Sequence, residues 1–271
     1  LIINCTNGFV ERGGAITYII THNRDPGLLH LHNDTFESNT NFNGYELELV
    51  LDFIPEITNC TFISDSPLTS LFCLQFSDPT LAASIKFENL TFYQWTDQYS
   101  HVLFSMRAEE QNSYIKEVTI DSCVFNYVKE FELLPNHNIN FNLINTVFTN
   151  NFNRQSLLLF QTNFNILIDN CLFTNNMAFS YDSSDSSILN ILSAKSCTIT
   201  NTNFIHEISQ ESDDLLNPYI IKACCNLICD NVTIKDCGKS EYALLFDPSA
   251  GIPPFDDGDG GYFNDKTIFC I

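Results

Sequence analysis

The sequence has few basic residues. Lysine and arginine together number 12, against 33 aspartates and glutamates, and the formal net charge is −21. Binding to nucleic-acid phosphates requires clustered lysine and arginine side chains, so the composition argues against a nucleic-acid partner. It also argues against attraction to an anionic membrane surface. Strong acidity instead favours divalent counter-ions and limits lateral sticking between molecules.

The sequence also lacks a long apolar segment. No run of about 18 apolar residues is present, so we expect no transmembrane helix and no membrane insertion. No signal peptide is recognisable, and the chain does not begin with methionine. We therefore expect the chain to be a mature product or a part of a longer protein.

A short phrase recurs along the whole chain. Ile57-Thr58-Asn59-Cys60-Thr61-Phe62 is a typical copy. The central positions of all the copies, 23 to 33 residues apart, are Asn4, Asn33, Asn59, Asn89, Ser122, Asn145, Asn170, Asn201 and Asn231. A repeat of this length is typical of solenoids, propellers and arrays.

The phrase contains a corner. Ile57 and Phe62 are five residues apart, so one straight strand would place them on opposite faces, although both are large and apolar. A turn at Asn59 removes the conflict, because asparagine tolerates the left-handed conformation. We expect the corner asparagines to point inward and to form a hydrogen-bonded ladder along the inside of the solenoid.

A third apolar strand precedes each corner pair, as in Glu46–Leu51, Ser70–Phe76, Ser156–Phe160 and Tyr242–Phe246. Three short strands per turn predict an all-β fold, a parallel β-helix of about nine coils that stacks one phenylalanine per coil. An all-β sandwich is the alternative, but it gives no reason for the recurring phrase. We expect residues 1–248 to form the coils, and 249–271 to form a Pro/Gly/Asp-rich loop and a partial terminal coil.

Nine of the eleven cysteines fall into two groups. Cys5, Cys60, Cys123 and Cys171 follow corners two coils apart. That is about 9.6 Å at the strand spacing, too far for a disulfide, so we expect small buried residues. A C-terminal group is dense enough for one or two disulfides and comprises Cys224, Cys225, Cys229, Cys237 and Cys270. A zinc site is the alternative, but the paired spacing of zinc knuckles is absent.

Two further motifs concern modification and metal binding. Five corner asparagines lie in N-glycosylation sequons, namely Asn4, Asn33, Asn59, Asn89 and Asn231. Because we expect these side chains to point inward, we expect them to carry no sugar. Asp257 and Asp259 alternate in a Gly-rich run and are a candidate calcium site, with a solvated turn as the alternative, since the run lacks the glycine and glutamate of an EF-hand. We expect no other cofactor.

The repeats resemble the pectate-lyase-like family of right-handed parallel β-helices. Within that family they are similar to polymorphic outer-membrane adhesin repeats, which use Phe-x-x-Asn and Gly-Gly-Ala-Ile. Phe36-x-x-Asn39, Phe148-x-x-Asn151 and Phe173-x-x-Asn176 match the first motif, and Gly13-Gly14-Ala15-Ile16 matches the second. The resemblance implies a rod that is displayed outside the cell and contacts protein or glycan partners.

The family also contains polysaccharide lyases and hydrolases. The Gly-His-Gly and Arg-Ile-Lys motifs of its galacturonan hydrolases are absent from this sequence. We therefore favour a non-catalytic structural or adhesive module of an extracellular or cell-surface protein, including a filament-forming one. The alternative is a polysaccharide lyase or glycoside hydrolase with a groove along Glu48, Arg107 and Glu132.

The two ends of a β-helix expose unpaired strand edges, which invite further strands. The sequence shows no amphipathic cap at Ile2–Cys5 or at Phe269–Ile271. We expect end-to-end contact with more of the same polypeptide or with another subunit.

Overall fold

The computed structural model describes residues 2–3, 6–7, 16–19, 30–37, 40–41, 45–51, 56–63, 71–76, 83–93, 102–106, 115–128, 131–135, 140–153, 156–161, 165–180, 187–211, 219–237, 244–246 and 268–270. These residues form strands and the tight corners between them. In this part of the chain there is no helix, and so none that is long and apolar enough to cross a membrane.

The strands follow one another in successive coils. The first five coils contain β1 (Ile2–Ile3), β2 (Thr6–Asn7) and β3 (Ile16–Ile19); β4 (His30–His32), β5 (Thr35–Glu37), β6 (Thr40–Asn41) and β7 (Tyr45–Leu51); β8 (Glu56–Thr58), β9 (Thr61–Ile63) and β10 (Leu71–Phe76); β11 (Ala83–Glu88), β12 (Thr91–Tyr93) and β13 (Val102–Met106); and β14 (Ile115–Asp121), β15 (Val124–Asn126) and β16 (Phe131–Pro135).

The later coils contain β17 (Asn140–Ile144), β18 (Val147–Thr149), β19 (Phe152–Asn153) and β20 (Leu158–Gln161); β21 (Asn165–Asp169), β22 (Leu172–Thr174), β23 (Met177–Ser180) and β24 (Ser187–Ser193); β25 (Ser196–Thr200), β26 (Asn203–Ile205), β27 (Ile208–Glu211) and β28 (Tyr219–Ala223); β29 (Asn226–Asp230), β30 (Val232–Lys235) and β31 (Leu244–Phe246); and finally β32 (Ile268–Cys270).

Most of the strands stack into three long parallel faces, and two further short sheets contain β2 with β6, and β19 with β23 and β27. The front sheet has eight strands, from β4 to β29, and the middle sheet has ten, from β1 to β32. The back face consists of a five-stranded sheet, β3 to β16, and a four-stranded sheet, β20 to β31, with β16 beside β20. Each coil runs from the front sheet through the middle sheet to the back face, and the paired strands are parallel throughout. The predicted parallel β-helix is confirmed.

The interior contains a column of phenylalanines, one from each of seven successive middle-sheet strands. They are Phe36, Phe62, Phe92, Phe125, Phe148, Phe173 and Phe204, all fully buried. Neighbouring rings are stacked with centroids 4.7–5.1 Å apart and planes within 12° of parallel. This spacing matches the strand spacing of a sheet, about 4.8 Å, so the parallel register itself brings the rings face to face. The predicted phenylalanine is present in these seven strands, and in the next strand, β30, Ile234 pairs with Phe204.

A first corner joins each front strand to the following middle strand. Asn33, Asn59, Asn89, Ser122, Asn145, Asn170, Asn201 and Asn231 occupy it, with φ between 50° and 58°. Ile57, Cys60 and Phe62 around one such corner are all buried, as the predicted turn at Asn59 requires. A second corner follows the middle strand, where Tyr127, Asn150, Asn175, His206 and Asp236 have φ between 53° and 56°.

The N-terminal end of the repeat differs from the alignment of the sequence copies. Ile2 and Ile3 pair with Thr35 and Phe36 of the middle sheet, rather than with the residues that precede Asn33. The register of Ile2 and Ile3 differs from the one on which the predicted corner at Asn4 rests, and Asn4 itself lies outside the described residues. At the other end, β32 pairs with β30 and extends the middle sheet.

Candidate functional site: two polar ladders

The outer ladder runs along the first corner. Asn89 Nδ2 donates to Asn59 Oδ1 at 2.9 Å, Asn170 Nδ2 donates to Asn145 Oδ1 at 2.7 Å, and Asn231 Nδ2 donates to Asn201 Oδ1 at 2.9 Å. Each corner also pairs its backbone with the next coil, as in the bond from Asn59 N to Glu88 O at 3.0 Å. The corner asparagines are therefore held in register by both their backbone and their side chains.

The side-chain bonds of the outer ladder all point in one direction, from each coil toward the preceding coil. Two runs of these hydrogen bonds end at a carboxylate. Asn145 Nδ2 donates to Asp121 Oδ1 at 3.0 Å, and Asn201 Nδ2 donates to Asp169 Oδ1 at 3.0 Å. A carboxylate only accepts hydrogen bonds, so it terminates a run of donating amides. At the N-terminal side, Asn59 Nδ2 lies 3.5 Å from His32 Nδ1.

The two carboxylates of this ladder remain ionised. Burial raises the pKa of Asp121, but hydrogen bonds from Asn145, Lys86 and Ser122 outweigh it, and the pKa is lowered. Hydrogen bonds from Thr200 and Asn201 lower the pKa of Asp169. Lys86 Nζ lies 3.0 Å from Asp121 Oδ2, and this contact raises the pKa of the lysine.

The predicted direction of the corner side chains is wrong. Asn33, Asn59, Asn89, Asn145, Asn170, Asn201 and Asn231 are all exposed, so the ladder lies on the outside of the solenoid. The inward–outward alternation of the strands is interrupted at the corner. The corner residue and the residue before it both face outward, and the residue after the corner is mostly buried. The expectation of sugar-free sequons loses its premise.

An inner ladder follows the second corner. Asn176 Oδ1 accepts bonds from the backbone N and the Nδ2 of Asn151, at 3.0 and 2.9 Å. Glu207 Oε1 accepts bonds from the backbone N and the Nδ2 of Asn176, at 3.2 and 3.1 Å. Asn151 Oδ1 in turn accepts from Val128 N at 2.8 Å. These side chains are buried and satisfy backbone groups that the turn leaves without a strand partner.

Glu207 is the unusual member of the inner ladder. Its side chain is fully enclosed, and its Oε2 atom has no hydrogen-bond partner among the described residues. Burial raises the pKa of Glu207 to about 8, so the carboxyl is protonated at neutral pH. The backbone N of Glu207 donates to Cys237 Sγ at 3.4 Å. This ladder was not predicted from the sequence, although Val128 at the equivalent position marks the site as interior.

The cysteines near the first corner have a structural role. Cys60, Cys123 and Cys171 are buried, as predicted, and Cys5 lies outside the described residues. Cys123 Sγ contacts Asp121 O at 3.3 Å, and Cys171 Sγ contacts Asp169 O at 3.3 Å, where Thr146 and Thr202 in other coils use a hydroxyl. Burial raises the pKa of both thiols to about 12, so they are poor nucleophiles.

The structure describes the side chains of four of the five C-terminal cysteines. None of Cys224, Cys225, Cys229 and Cys237 is joined to another cysteine, and the side chain of Cys270 is not described. Burial raises the pKa of Cys225 to about 12 and that of Cys229 to about 11. No cluster of three or more potential metal ligands occurs among the described residues, and Asp257 and Asp259 lie outside them.

Two residues of the predicted enzyme groove, Glu48 and Glu132, lie on the back face. The register of the back face aligns Glu48 with Cys73, Cys73 with Leu103, and Leu103 with Glu132. Glu48 and Glu132 therefore share a row but stand three strand spacings apart, about 14 Å. Carboxyl pairs in glycosidases are roughly 5 to 9.5 Å apart. Arg107 lies outside the described residues.

The chain matches no family model, no curated protein and no solved structure. The fold of the chain is a parallel β-helix with an exposed and a buried polar ladder.

Proposed function

We propose that the chain is a non-catalytic structural or adhesive module of an extracellular or cell-surface protein. The observation that carries the proposal is the placement of the three described carboxyl groups whose pKa is shifted. Asp121 and Asp169, on the outside, have lowered pKa values and are engaged in the ladder. Glu207, with a raised pKa, is enclosed in the interior. Glycoside hydrolysis requires a carboxyl with a raised pKa that faces the substrate.

The regularity of the outer surface also supports a scaffold. On the front sheet, Asn165 Nδ2 donates to Asn140 Oδ1 at 3.0 Å, and Ser196 Oγ donates to Asn165 Oδ1 at 2.9 Å. The outward side chains thus satisfy one another across coils, as the corner asparagines do. Such a surface holds its shape along the rod, which suits the presentation of loops or ends to protein or glycan partners. The likeness to adhesin repeats, through Phe148-x-x-Asn151 and Phe173-x-x-Asn176, supports the same proposal.

An activity screen tests the non-catalytic part. The purified chain is incubated with polygalacturonate and neutral polysaccharides, with and without calcium, beside a pectate lyase as positive control. Reducing ends report hydrolysis, and ultraviolet absorbance reports the unsaturated product of a lyase. We expect no product above background. Product that disappears in Glu48→Gln or Glu132→Gln would support the enzyme alternative instead.

The C-terminal edge of the front sheet supports end-to-end contact. Leu227 and Cys229 of β29 occupy inward positions but are only half-buried, whereas their register partners Cys197 and Ile199 are fully buried. Within the described part of the chain, β29 is the outermost strand at this side of the front sheet. We propose that another subunit, or more of the same polypeptide, stacks on this edge.

Light scattering over a range of concentrations tests the stacking. We expect the mass of the wild-type chain to rise with concentration, and Leu227→Asp to remain a monomer because it places a charge at the edge. Leu167→Asp is the matched control, since Leu167 is a half-buried outward leucine in the middle of the same sheet. A wild-type chain that stays monomeric at every concentration contradicts the proposal.

A further inference from the structure

We propose that the first corner carries N-linked sugars, with Asn33, Asn59, Asn89 and Asn231 as the acceptors. Each of these asparagines is exposed, stands in a left-handed turn, and is followed two residues later by threonine. An Asn-x-Thr sequon on an exposed turn is the arrangement that N-glycosylation requires of a folded product, because the attached sugar is bulky and must lie in solvent. The inference rests on the proposed extracellular location.

The outer ladder is compatible with an attached sugar. The Nδ2 atom of each corner asparagine has two hydrogens, and the ladder bond uses one of them. Asn89 Nδ2 donates once to Asn59, and Asn231 Nδ2 donates once to Asn201. Replacing the other hydrogen by a glycosidic bond leaves the ladder hydrogen in place. The corner therefore keeps its turn and its side-chain bond after modification.

The asparagine side-chain amide is the only group of this chain that takes part in the N-glycosylation reaction. An oligosaccharide linked to a lipid diphosphate is the donor. The bond between its anomeric carbon and the diphosphate oxygen breaks, and a new bond forms between that carbon and the asparagine Nδ2. The lipid diphosphate leaves, and the amide loses one proton to solvent. The host transferase supplies the catalysis.

The rod contains its own matched controls. Asn145, Asn170 and Asn201 occupy the same corner, are equally exposed and take part in the same ladder. The residue two positions later is Val147, Leu172 or Asn203, so no sequon is formed. Corner geometry is thus constant along the edge, and only the presence of the hydroxyl differs.

The sugars would cover one part of the edge more densely than the other. Asn33, Asn59 and Asn89 lie on three successive coils, separated by about 4.8 Å each. Asn231 lies five coils beyond Asn89, about 24 Å along the rod at the same spacing. The sugars would shield this edge from lateral contact and leave the two ends of the rod accessible.

The test uses the full chain, secreted from a eukaryotic host, with a flexible tail that carries one reference sequon. Enzymatic removal of the sugars in water enriched in heavy oxygen marks each modified asparagine for peptide mass spectrometry. We expect at least two of the four corner sites to be modified in the folded protein. Thr91→Val should abolish modification of Asn89, and Val147→Thr should add it at Asn145.

A modified reference tail with fewer than two modified corner sites overturns the inference and leaves the proposed location untouched. Sugar confined to an unfolded fraction, separated by size exclusion and recognised by circular dichroism, also overturns it, because the corner would then not accommodate the sugar. A chain modified at the corners in the secretory host but sugar-free in its natural source would support the acceptor geometry and contradict the extracellular location.

Discussion

The outer and inner ladders are built largely from the same residue and differ in nearly every physical respect. Asn170 and Asn176 are six residues apart, as are Asn145 and Asn151. The first member of each pair is exposed in a left-handed turn, and the second is buried among backbone groups that it satisfies. At the outer position asparagine is selected for its backbone conformation, and at the inner position for its side-chain amide.

The occupants of each position bear out this difference. Ser122 replaces asparagine at one outer corner and keeps a φ of 56°. The inner positions instead hold Val128, Asn151, Asn176, Glu207 and Cys237, which share little except an inward direction. An interior position tolerates whatever fills its volume and completes its hydrogen bonds, whereas the corner tolerates whatever adopts the turn.

The largest expected effect lies between the two ladders, in the phenylalanine column. Phe173→Ala should lower the free energy of unfolding by about 3–5 kcal/mol, the range for deleting a buried aromatic side chain. Chemical denaturation measures it, with the exposed Tyr127→Ala as the control, for which we expect a much smaller loss. An unchanged midpoint for Phe173→Ala would contradict the column as the core.

The inner ladder should be the next most sensitive. Asn176→Ala leaves Asn151 N without its acceptor and removes the donors to Glu207 and to Phe148 O, so we expect a loss of about 2–4 kcal/mol. Asn176→Gly should cost at least as much, because the missing group is the amide. Denaturation of both variants gives the comparison. A glycine variant close to wild type would show that the inner position is conformational.

Glu207 should contribute strongly to the pH dependence of the stability. Its folded pKa of about 8 lies above its unfolded value, so stability is intact below the unfolded pKa and is lost as the pH rises toward 8. At roughly 1.4 kcal/mol per pH unit, Glu207→Gln should be more stable than wild type by about 2–4 kcal/mol at pH 7 and nearly equal at pH 4. Urea denaturation across this range measures the difference. A difference in stability between Glu207→Gln and wild type that is the same at pH 4 and at pH 8 would contradict an enclosed carboxyl.

The smallest expected effect is at the outer ladder. Asn170→Ala should cost about 1 kcal/mol, because alanine resists the left-handed turn. Asn170→Gly should lie within about 0.5 kcal/mol of wild type, since the lost amide is exposed. The alanine-to-glycine order at position 170 should thus differ from that at position 176. Identical patterns at both positions would remove the distinction between the ladders.

The sequence alone was sufficient for the fold and for the column. The five-residue separation of Ile57 and Phe62 required a turn between them, and that requirement placed Phe36, Phe62 and Phe173 in one row. The direction of the corner side chain was not predictable in this way, because the left-handed conformation fixes the backbone and says nothing of which side faces solvent. The signal was in the neighbours: an apolar Val128 aligned with Asn151 marks the buried row. A protonated Glu207 required the enclosed geometry itself.

The parallel pairing of every described strand gives the rod a direction. Because the side-chain amides of the outer ladder also donate only toward the preceding coil, the two ends of the rod are chemically different surfaces. A join that continues the strand pairing must place one end of a copy against the opposite end of the next. Such an interface is heterologous and has no two-fold axis, and repeated without rotation to closure it produces an open line of copies rather than a closed ring. The length of an assembly built in this way is then set by concentration or by a terminating partner, and not by the symmetry of the contact.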